Sequence, residues 1–242
     1  MIRRREFLLT PLALVAQTRP PEDLLHECVV FPRAYTCCPQ PEFAVRALET
    51  GRFPHALQRE DAAIIPLSEL SRAQPGRIAV FTSPHGDGVD SPLEKSIKVP
   101  LAIWAPGLLA PRTADEILIS TVDLAPTLLG LRGEPIPESV QGRDLSGLLL
   151  GKDHEVPDSV YIEGGIETSS EWRAVIRGFD KIVLDLNGNV THLYNLADDP
   201  GEATNLVLDS STQLTRDALL ALARRWMRRT GDHTDPSGLR KR

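Results

Sequence analysis

Cysteine is scarce in this sequence. Only Cys28, Cys37 and Cys38 occur among the 242 residues. An odd number leaves at least one thiol without an intramolecular partner, which excludes a fully bridged disulfide scaffold. Cys37 and Cys38 are neighbours whose Cα atoms lie about 3.8 Å apart, below the usual disulfide range, so a bond between them would be strained.

An excess of positive charge is also missing. The 27 Lys and Arg residues are outnumbered by 33 Asp and Glu residues, which gives a formal net charge of −6 at pH 7. A general nucleic-acid-binding protein needs a basic stripe or patch, and none stands out. Apart from the N-terminal run, no segment is long and apolar enough to span a membrane.

The N-terminus combines basic and apolar residues in a familiar order. Arg3, Arg4 and Arg5 precede an apolar run that ends near Ala16. A basic region followed by an apolar run of this length is typical of an export signal, and the Arg-Arg-Glu-Phe-Leu order resembles a twin-arginine signal. We therefore predict that residues 1–17 are a signal and that the protein is exported, periplasmic or secreted. The alternative is a basic helix start on a cytosolic protein.

Buried strands alternate with helices over residues 18–154. The continuous apolar runs at 77–83 and 99–107 are typical of strands buried on both faces. Helices are predicted at 120–131 and 142–151, the second closed by a glycine. This alternation predicts an α/β fold with a mostly parallel sheet flanked by helices.

The pattern changes over residues 155–230, where apolar and polar residues alternate. Asn187 and Gly188 separate two alternating runs, which predicts a hairpin and a small antiparallel sheet. A following amphipathic helix is expected to cover one face of that sheet, with an apolar face made of Leu214, Ala218, Leu222 and Trp226. Residues 231–242 are predicted to be a flexible polar tail.

The two adjacent cysteines precede a predicted helix. Pro41 suits the first turn of a helix and Gly51 suits its end. The N-terminus of a helix favours an anion, so Cys37 is a candidate nucleophile for an anionic substrate. An inert buried thiol is the alternative, and a redox role for Cys37 and Cys38 is a third hypothesis that lacks the Cys-x-x-Cys spacing.

Five motifs follow one another along the chain. They are the Cys-Cys-Pro start with its closing TGRFPH (50–55), TSPHGDG (82–88), LEKSIKVPLAIWAPG (93–107), STVDLAPTLLGL (120–131) with VQGRDLSGLLLG (140–151), and LYNLADDPGEATNL (193–206). In this order they resemble the sulfatase family of the alkaline-phosphatase-like superfamily. The resemblance covers roughly residues 24–56 and 77–229.

The resemblance implies a chemistry and a set of ligands. It implies hydrolysis of a sulfate monoester, with Cys37 as the nucleophile or as the precursor of formylglycine. It also implies Ca²⁺ as the cofactor, His85 as a metal contact, and a sulfated small molecule or glycan as the partner. A calcium ion in such a site neutralises the ester oxygens as the nucleophile attacks.

The sequence departs from the family pattern at four places. Pro41 stands where the family has an arginine, and Pro84 stands where it has an aspartate, which leaves His85 alone. An N-terminal strand with paired aspartates is expected to be absent, and the span Leu57–Gln74 replaces a much longer segment. We therefore predict an incomplete active site, and a non-catalytic anion-binding or partner-binding protein is the alternative to a hydrolase.

The remaining charged clusters are interpreted as structural. Asp87 and Asp90 are expected to cap turns, although they are also the residues that a metal could recruit. Asp123 is expected at the start of a helix. A turn is predicted for the acidic group Asp198, Asp199 and Glu202, and a solvated helix face for the arginines at 224–229.

Overall fold

The computed structural model describes residues 13–15, 22–58, 61, 63, 78–86, 90–152 and 155–232. The strands in these ranges are β1 (Ala13–Val15), β2 (Cys28–Val30), β3 (Ala34–Tyr35), β4 (Ala79–Thr82), β5 (Leu101–Trp104), β6 (Arg112–Thr113), β7 (Ile119–Ser120), β8 (Ser159–Gly164), β9 (Trp172–Arg177), β10 (Asp180–Asp185) and β11 (Val190–Asn195). The α-helices are α1 (Glu22–Leu25), α2 (Pro41–Thr50), α3 (Glu94–Ile97), α4 (Leu124–Arg132), α5 (Ser146–Leu149) and α6 (Gln213–Thr230).

The larger sheet has the strand order β1-β4-β5-β2-β6. Its β1–β4 and β2–β6 pairs are parallel, whereas β4–β5 and β2–β5 are antiparallel. The α/β class is confirmed, but the sheet is mixed rather than mostly parallel. Burial on both faces produces the same apolar runs in either direction, so the runs at 77–83 and 99–107 did not contain this information.

The first strand corrects an expectation. The sequence was expected to lack an N-terminal strand, yet β1 pairs in parallel with β4, with Ala13 opposite Ala79. The next residues in the sequence are Ala16 and Gln17, so the paired aspartates are still missing. The rest of the predicted signal lies outside the described residues.

The local signals around α2 are confirmed. Pro41 is its first residue, and Gln40 is the N-cap with extended backbone. Gly51 ends the helix in the left-handed conformation (φ 65°), where its amide donates to Ala47 O at 2.9 Å. The predicted helix at 120–131 is a 3₁₀ turn at Thr121–Asp123 that continues into α4.

The C-terminal sheet is antiparallel, with the order β11-β10-β9-β8. Its hairpin turns at Gly188 (φ 75°), as predicted. One face packs against α6 through residues such as Val175 and Ile182. The opposite face packs against Tyr35, Ile97 and Leu118. Both faces are therefore covered, and β8 is buried along its whole length rather than alternating between core and solvent.

Helix α6 buries a different face from the predicted one. Leu214 is 85% exposed and Ala218 is also exposed, whereas the buried set is Leu219, Leu222, Ala223, Trp226 and Thr230. Residues four apart drift about 40° per step around a helix of 3.6 residues per turn. Leu214 therefore lies about 120° around the axis from Trp226, and only the second half of the predicted row reaches the core.

Asp232 is the second residue of the predicted tail, and it packs against the rest of the protein. Asp232 is 5% exposed and lies against the C-terminal sheet, so the chain is still anchored there. Residues 233–242 lie outside the described residues, and the boundary predicted between residues 154 and 155 stays a prediction.

No helix within the described parts of the chain has the length and apolar character needed to cross a bilayer.

Candidate functional site

Cys37 lies in the short connection between β3 and α2. Its backbone amide donates to Thr121 Oγ1 at 3.1 Å, and its carbonyl accepts from the Glu163 amide at 2.9 Å. The residue is completely buried, in a cluster that contains Phe53 and Val122. The connection is thus held from two sides, and the thiol has no path to solvent.

The thiols of this connection are held in their protonated form. Burial, and then the nearby charge of Glu163, raise the pKa of Cys37 far above its ordinary value. Burial raises the pKa of Cys38 in the same way, and it raises that of Cys28 to about 11. None of the three cysteines forms a disulfide, and all three are buried. A thiolate nucleophile is therefore disfavoured at each of these positions.

The residue before α2 is bonded to a distant part of the chain. Gln40 Oε1 accepts from the Ile166 amide at 2.6 Å, and Gln40 Nε2 donates to the Ile166 carbonyl at 3.3 Å. Cys37 lies four residues before Pro41 and so precedes the first turn of the helix. The helix end that favours an anion is formed by Pro41 and Glu42, which are exposed, and Cys37 does not lie at it.

His85 lies beyond the end of β4, in a different loop from Cys37. Its Nδ1 is 2.8 Å from the Gly86 carbonyl, and the residue lines a cavity of about 890 Å³ together with Tyr35, Glu94 and Lys98. Gly86 is needed for this loop, because a Cβ there would lie 2.5 Å from the Lys95 carbonyl. Among the described residues, no contact joins His85 to Cys37.

Asp123 and Asp199 act as a cap and a turn former, whereas Asp90 does not cap a turn of its own and bonds a distant amide instead. Asp90 Oδ2 accepts from the Gly165 amide at 2.7 Å, and burial raises the pKa of Asp90. Asp123 Oδ2 accepts from the Ser120 amide at 3.0 Å, as expected of a helix-start residue. Asp199 accepts from the amides of residues 203 and 204, which confirms the predicted turn. Asp87 lies outside the described residues.

A buried polar network connects distant parts of the chain. His55 Nδ1 is 2.5 Å from Glu163 Oε1, and His55 Nε2 is 3.0 Å from the Thr230 carbonyl. Asp232 Oδ2 accepts from Tyr161 Oη and from Arg173 Nε, each at 2.5 Å. We call His55, Glu163, Asp232, Tyr161 and Arg173 the interior network. This network was not predicted from the sequence, although Glu163 and Arg173 are charged residues inside otherwise apolar strands.

Comparison with known proteins decides the family. The family model described as N-sulphoglucosamine sulphohydrolase, C-terminal, matches residues 92–226, which is more than half of the chain. The chain belongs to the sulfatase family.

Curated relatives agree with this assignment. An arylsulfatase of Clostridium perfringens is 29% identical over 174 residues, which are 67% of this chain and 36% of that protein. The extracellular sulfatase SULF-1 homolog of Drosophila melanogaster is 37% identical over 107 residues, which are 38% of this chain and 10% of that protein. The chain thus spans well under half the length of the curated relatives it matches.

Solved structures show the same fold. A putative sulfatase of Bacteroides thetaiotaomicron is 27% identical, with a TM-score of 0.60 over 68% of this chain and 38% of that chain. A 2-O GAG sulfatase superposes over 96% of this chain and 94% of that chain with a TM-score of 0.81, at 15% identity. The alkaline-phosphatase-like fold predicted from the motifs is confirmed.

Sulfatases as a family imply a calcium ion, and the described residues do not fit one. Calcium takes six to eight oxygen ligands, mostly from carboxylates. In the described part of the chain, one group of three or more possible ligands comes close enough to share an ion, and it contains neither Cys37 nor His85. His85 offers a nitrogen, and neither it nor Asp90 lies in a group of possible ligands among the described residues.

That group is His55, Glu163 and Asp232, whose ligand atoms lie within 4.8 Å of one another. Arg173 already neutralises Asp232, and both ring nitrogens of His55 have hydrogen-bond partners. Burial alone would raise the pKa of Asp232, but the hydrogen bond and charge of Arg173 outweigh it and lower the pKa to about 2. The group therefore behaves as a buried ion network rather than a metal centre.

The network makes the stability of this protein depend on pH. Burial opposes the charged form of His55, but the hydrogen bond and charge of Glu163 outweigh it and raise the pKa of His55 above its ordinary value. The folded protein then binds this proton more tightly than the unfolded chain does. The contribution is complete below the unfolded pKa of about 6.5 and is lost as pH rises through the higher folded value.

We expect His55→Gln to lower the free energy of unfolding by roughly 1.5–3 kcal/mol below pH 6.5, because it removes a charged hydrogen bond. The difference from the wild type should shrink as pH rises. Urea unfolding of both proteins between pH 5.5 and 9 measures it. A difference that stays constant over this range would show that His55 is neutral in the folded protein.

Proposed function

We propose that this chain is a sulfatase-family protein that does not hydrolyse sulfate esters. The observation that supports this most directly is the complete burial of Cys37. A nucleophile must reach the sulfur atom of the ester, within about 3–3.5 Å for a productive attack. A fully buried side chain in the cluster that contains Phe53, Val122 and Tyr161 does not meet a substrate of any size.

Three further features support the proposal. Pro41 replaces the arginine that the family pattern places after the nucleophile. The thiol of Cys37 has a strongly raised pKa, which disfavours the nucleophilic form. The described residues do not assemble the oxygen ligands that calcium needs. The nucleophile and the metal site are therefore each deficient for a separate reason. Formylglycine at position 37 would lack the metal that its chemistry requires.

A thiol redox role for Cys37 and Cys38 is less well supported. Both side chains are fully buried and both thiols are free. Thiol–disulfide exchange needs an accessible thiolate, and burial raises the pKa of both groups.

We also propose that the protein is exported and that its ligand, if it meets one, carries a sulfate group. The basic and apolar order of residues 1–17 supports export, and one curated relative is named an extracellular sulfatase. A structural neighbour at 21% identity was solved with its substrate D-glucosamine-2-N,6-O-disulfate. Membership of the family supports a sulfated sugar as the class of ligand to test first.

Mass spectrometry of the full chain tests the loss of hydrolysis. We expect the peptide over residues 35–46 to contain an unmodified Cys37, and an aryl sulfate with added calcium to be turned over no faster by the wild type than by Cys37→Ala. A loss of about 18 Da at Cys37, the change from thiol to aldehyde, together with turnover that the variant lacks, overturns the proposal.

Alkylation measures the burial itself. We expect N-ethylmaleimide to leave all three cysteines of the native protein unmodified at pH 8, and to modify all three in urea. Ser210→Cys, at an exposed position, is the positive control and should add one fast site. Rapid native modification at Cys37 contradicts its enclosure.

A further inference from the structure

A basic pocket lies beside the C-terminal half of α6, and neither Cys37 nor His85 lines it. It has a volume of about 420 Å³, and Arg143, Ser159, Arg225, Trp226 and Arg229 are among its lining residues. We call these five residues the arginine pocket. The proposed function leaves it unexplained, because neither hydrolysis nor its loss requires a cluster of guanidinium groups at this place.

Arg143 is the fixed part of the pocket. Its Nη2 donates to Asp123 Oδ2 at 2.7 Å and to the Leu118 carbonyl at 3.2 Å, and its Nη1 donates to the Ser159 carbonyl at 2.9 Å. With Nε 3.3 Å from Asp123 Oδ1, four of the five guanidinium N–H groups are used. One N–H on Nη1 remains, on a side chain that cannot move away.

Arg229 places a second guanidinium against the same indole ring. Its Cζ lies 4.9 Å from the centroid of the Trp226 ring, and Arg143 Cζ lies 5.4 Å from the same centroid. Burial, and then repulsion from Arg143, lower the pKa of Arg229. Two cations held against one indole repel each other, and a bound anion near them would relieve that repulsion.

The guanidinium N–H groups of Arg225 and Arg229 are available to a ligand. Within the ranges that the structure describes, neither guanidinium has a hydrogen bond or an ion pair to a carboxylate. Both residues are on α6 four positions apart, so their side chains project from the same side of the helix. Planar guanidinium groups with free N–H groups suit the oxygens of a sulfate or phosphate.

Carboxylates at the rim limit the charge that the pocket can accept. Asp158 already pairs with Arg177 Nε at 2.9 Å, and Asp144 accepts from the Ser146 amide at 2.8 Å. Glu155 is exposed at the edge. The balance favours one small anionic group and disfavours a polyanion that would also meet these carboxylates.

We propose that the arginine pocket binds a single sulfate or phosphate group, with Arg225 and Arg229 as its ligands and the remaining N–H of Arg143 as a fixed third donor. The inference goes beyond the proposed function, since it holds whether or not Cys37 reacts. The group can be a free ion or the substituent of a sugar, because both offer the same three oxygens to the pocket.

Tryptophan signals test this in the full chain. Trp226 is one of three tryptophans and the only one of them lining the pocket. In protein labelled with ¹⁵N-tryptophan, its indole signal can be assigned with Trp226→Phe. We expect this signal to shift saturably with sodium sulfate or sodium phosphate, and not with sodium chloride at equal ionic strength.

Matched variants locate the site. Arg229→Gln should weaken sulfate binding about tenfold, as expected for the loss of about 1.4 kcal/mol of charge-assisted hydrogen bonding. Arg224→Gln removes the same charge from the same helix outside the pocket, and it should stay within about twofold of the wild type. Both positions are exposed, so both variants should fold.

Glucose 6-sulfate and glucose separate the two sources of the anion. Tighter binding of glucose 6-sulfate than of sulfate, with none of glucose, identifies a sugar-borne group, and equal binding identifies the free ion. The proposal is overturned if no anion shifts Trp226 saturably, if chloride acts equally, or if Arg224→Gln weakens binding as much as Arg229→Gln does.

Discussion

Replacing Arg173 by Met is expected to lower the free energy of unfolding by roughly 3–5 kcal/mol. The side chain is 3% exposed, with Nε 2.5 Å from Asp232 Oδ2 and Nη2 3.2 Å from Glu171 Oε2. The variant leaves both buried carboxylates without their guanidinium. Methionine fills much of the space, so the loss reports the charge rather than a cavity.

The melting temperature should fall by roughly 6–20 °C, since each kcal/mol corresponds to about 2–4 °C in a chain of this size. Arg177→Met is the matched control on the same strand. Its pair with Asp158 is exposed, at 52% and 61% for the two side chains, so we expect a change below about 1 kcal/mol. Equal losses in the two variants would mean that the buried pair contributes no more than a surface pair.

Lys181→Met is expected to lower the free energy of unfolding by a similar amount, roughly 3–5 kcal/mol. Lys181 lies on the face of the C-terminal sheet opposite to Arg173. The Lys181 side chain is 0% exposed, forms an ion pair with Glu202 and donates to the Pro92 carbonyl at 2.7 Å. Glu202 also accepts from the Glu94 amide at 2.6 Å. The pair therefore holds the start of α3 against the C-terminal sheet, and removing the lysine leaves a buried carboxylate.

A double variant separates charge from packing. Glu202→Gln keeps an oxygen that can accept from the Glu94 amide, so Lys181→Met with Glu202→Gln has neither charge. We expect it to recover at least half of the loss measured for Lys181→Met alone in urea unfolding followed by circular dichroism. If the double variant loses as much free energy of unfolding as the two single variants together, the effect is due to lost packing.

The elements that could be predicted from the sequence are those with local signals. Pro41 and Gly51 mark the two ends of α2 because each suits a backbone conformation that the helix end requires. The turn at Gly188 follows from the same kind of local preference. Family motifs added the fold, because they record a topology that no local pattern contains.

The environment of Cys37 was not contained in the local sequence. Its position before α2 was predicted, but its burial depends on Thr121 and on Glu163, which are 84 and 126 residues further along the chain. The interior network has the same origin, since His55 and Glu163 are separated by 108 residues. A charged residue inside an apolar strand showed that a partner must exist, without showing which one.

The anchored position of Asp232 has a consequence for protein synthesis. Asp232 is translated 59 residues after its partner Arg173. At about 5–20 residues per second, the arginine waits roughly 3–12 s for its carboxylate. During that interval β8 and β9 can pair, but their buried Arg173 and Tyr161 have no Asp232 to meet. The nascent sheet is therefore exposed to premature association on the ribosome until the end of α6 has been made.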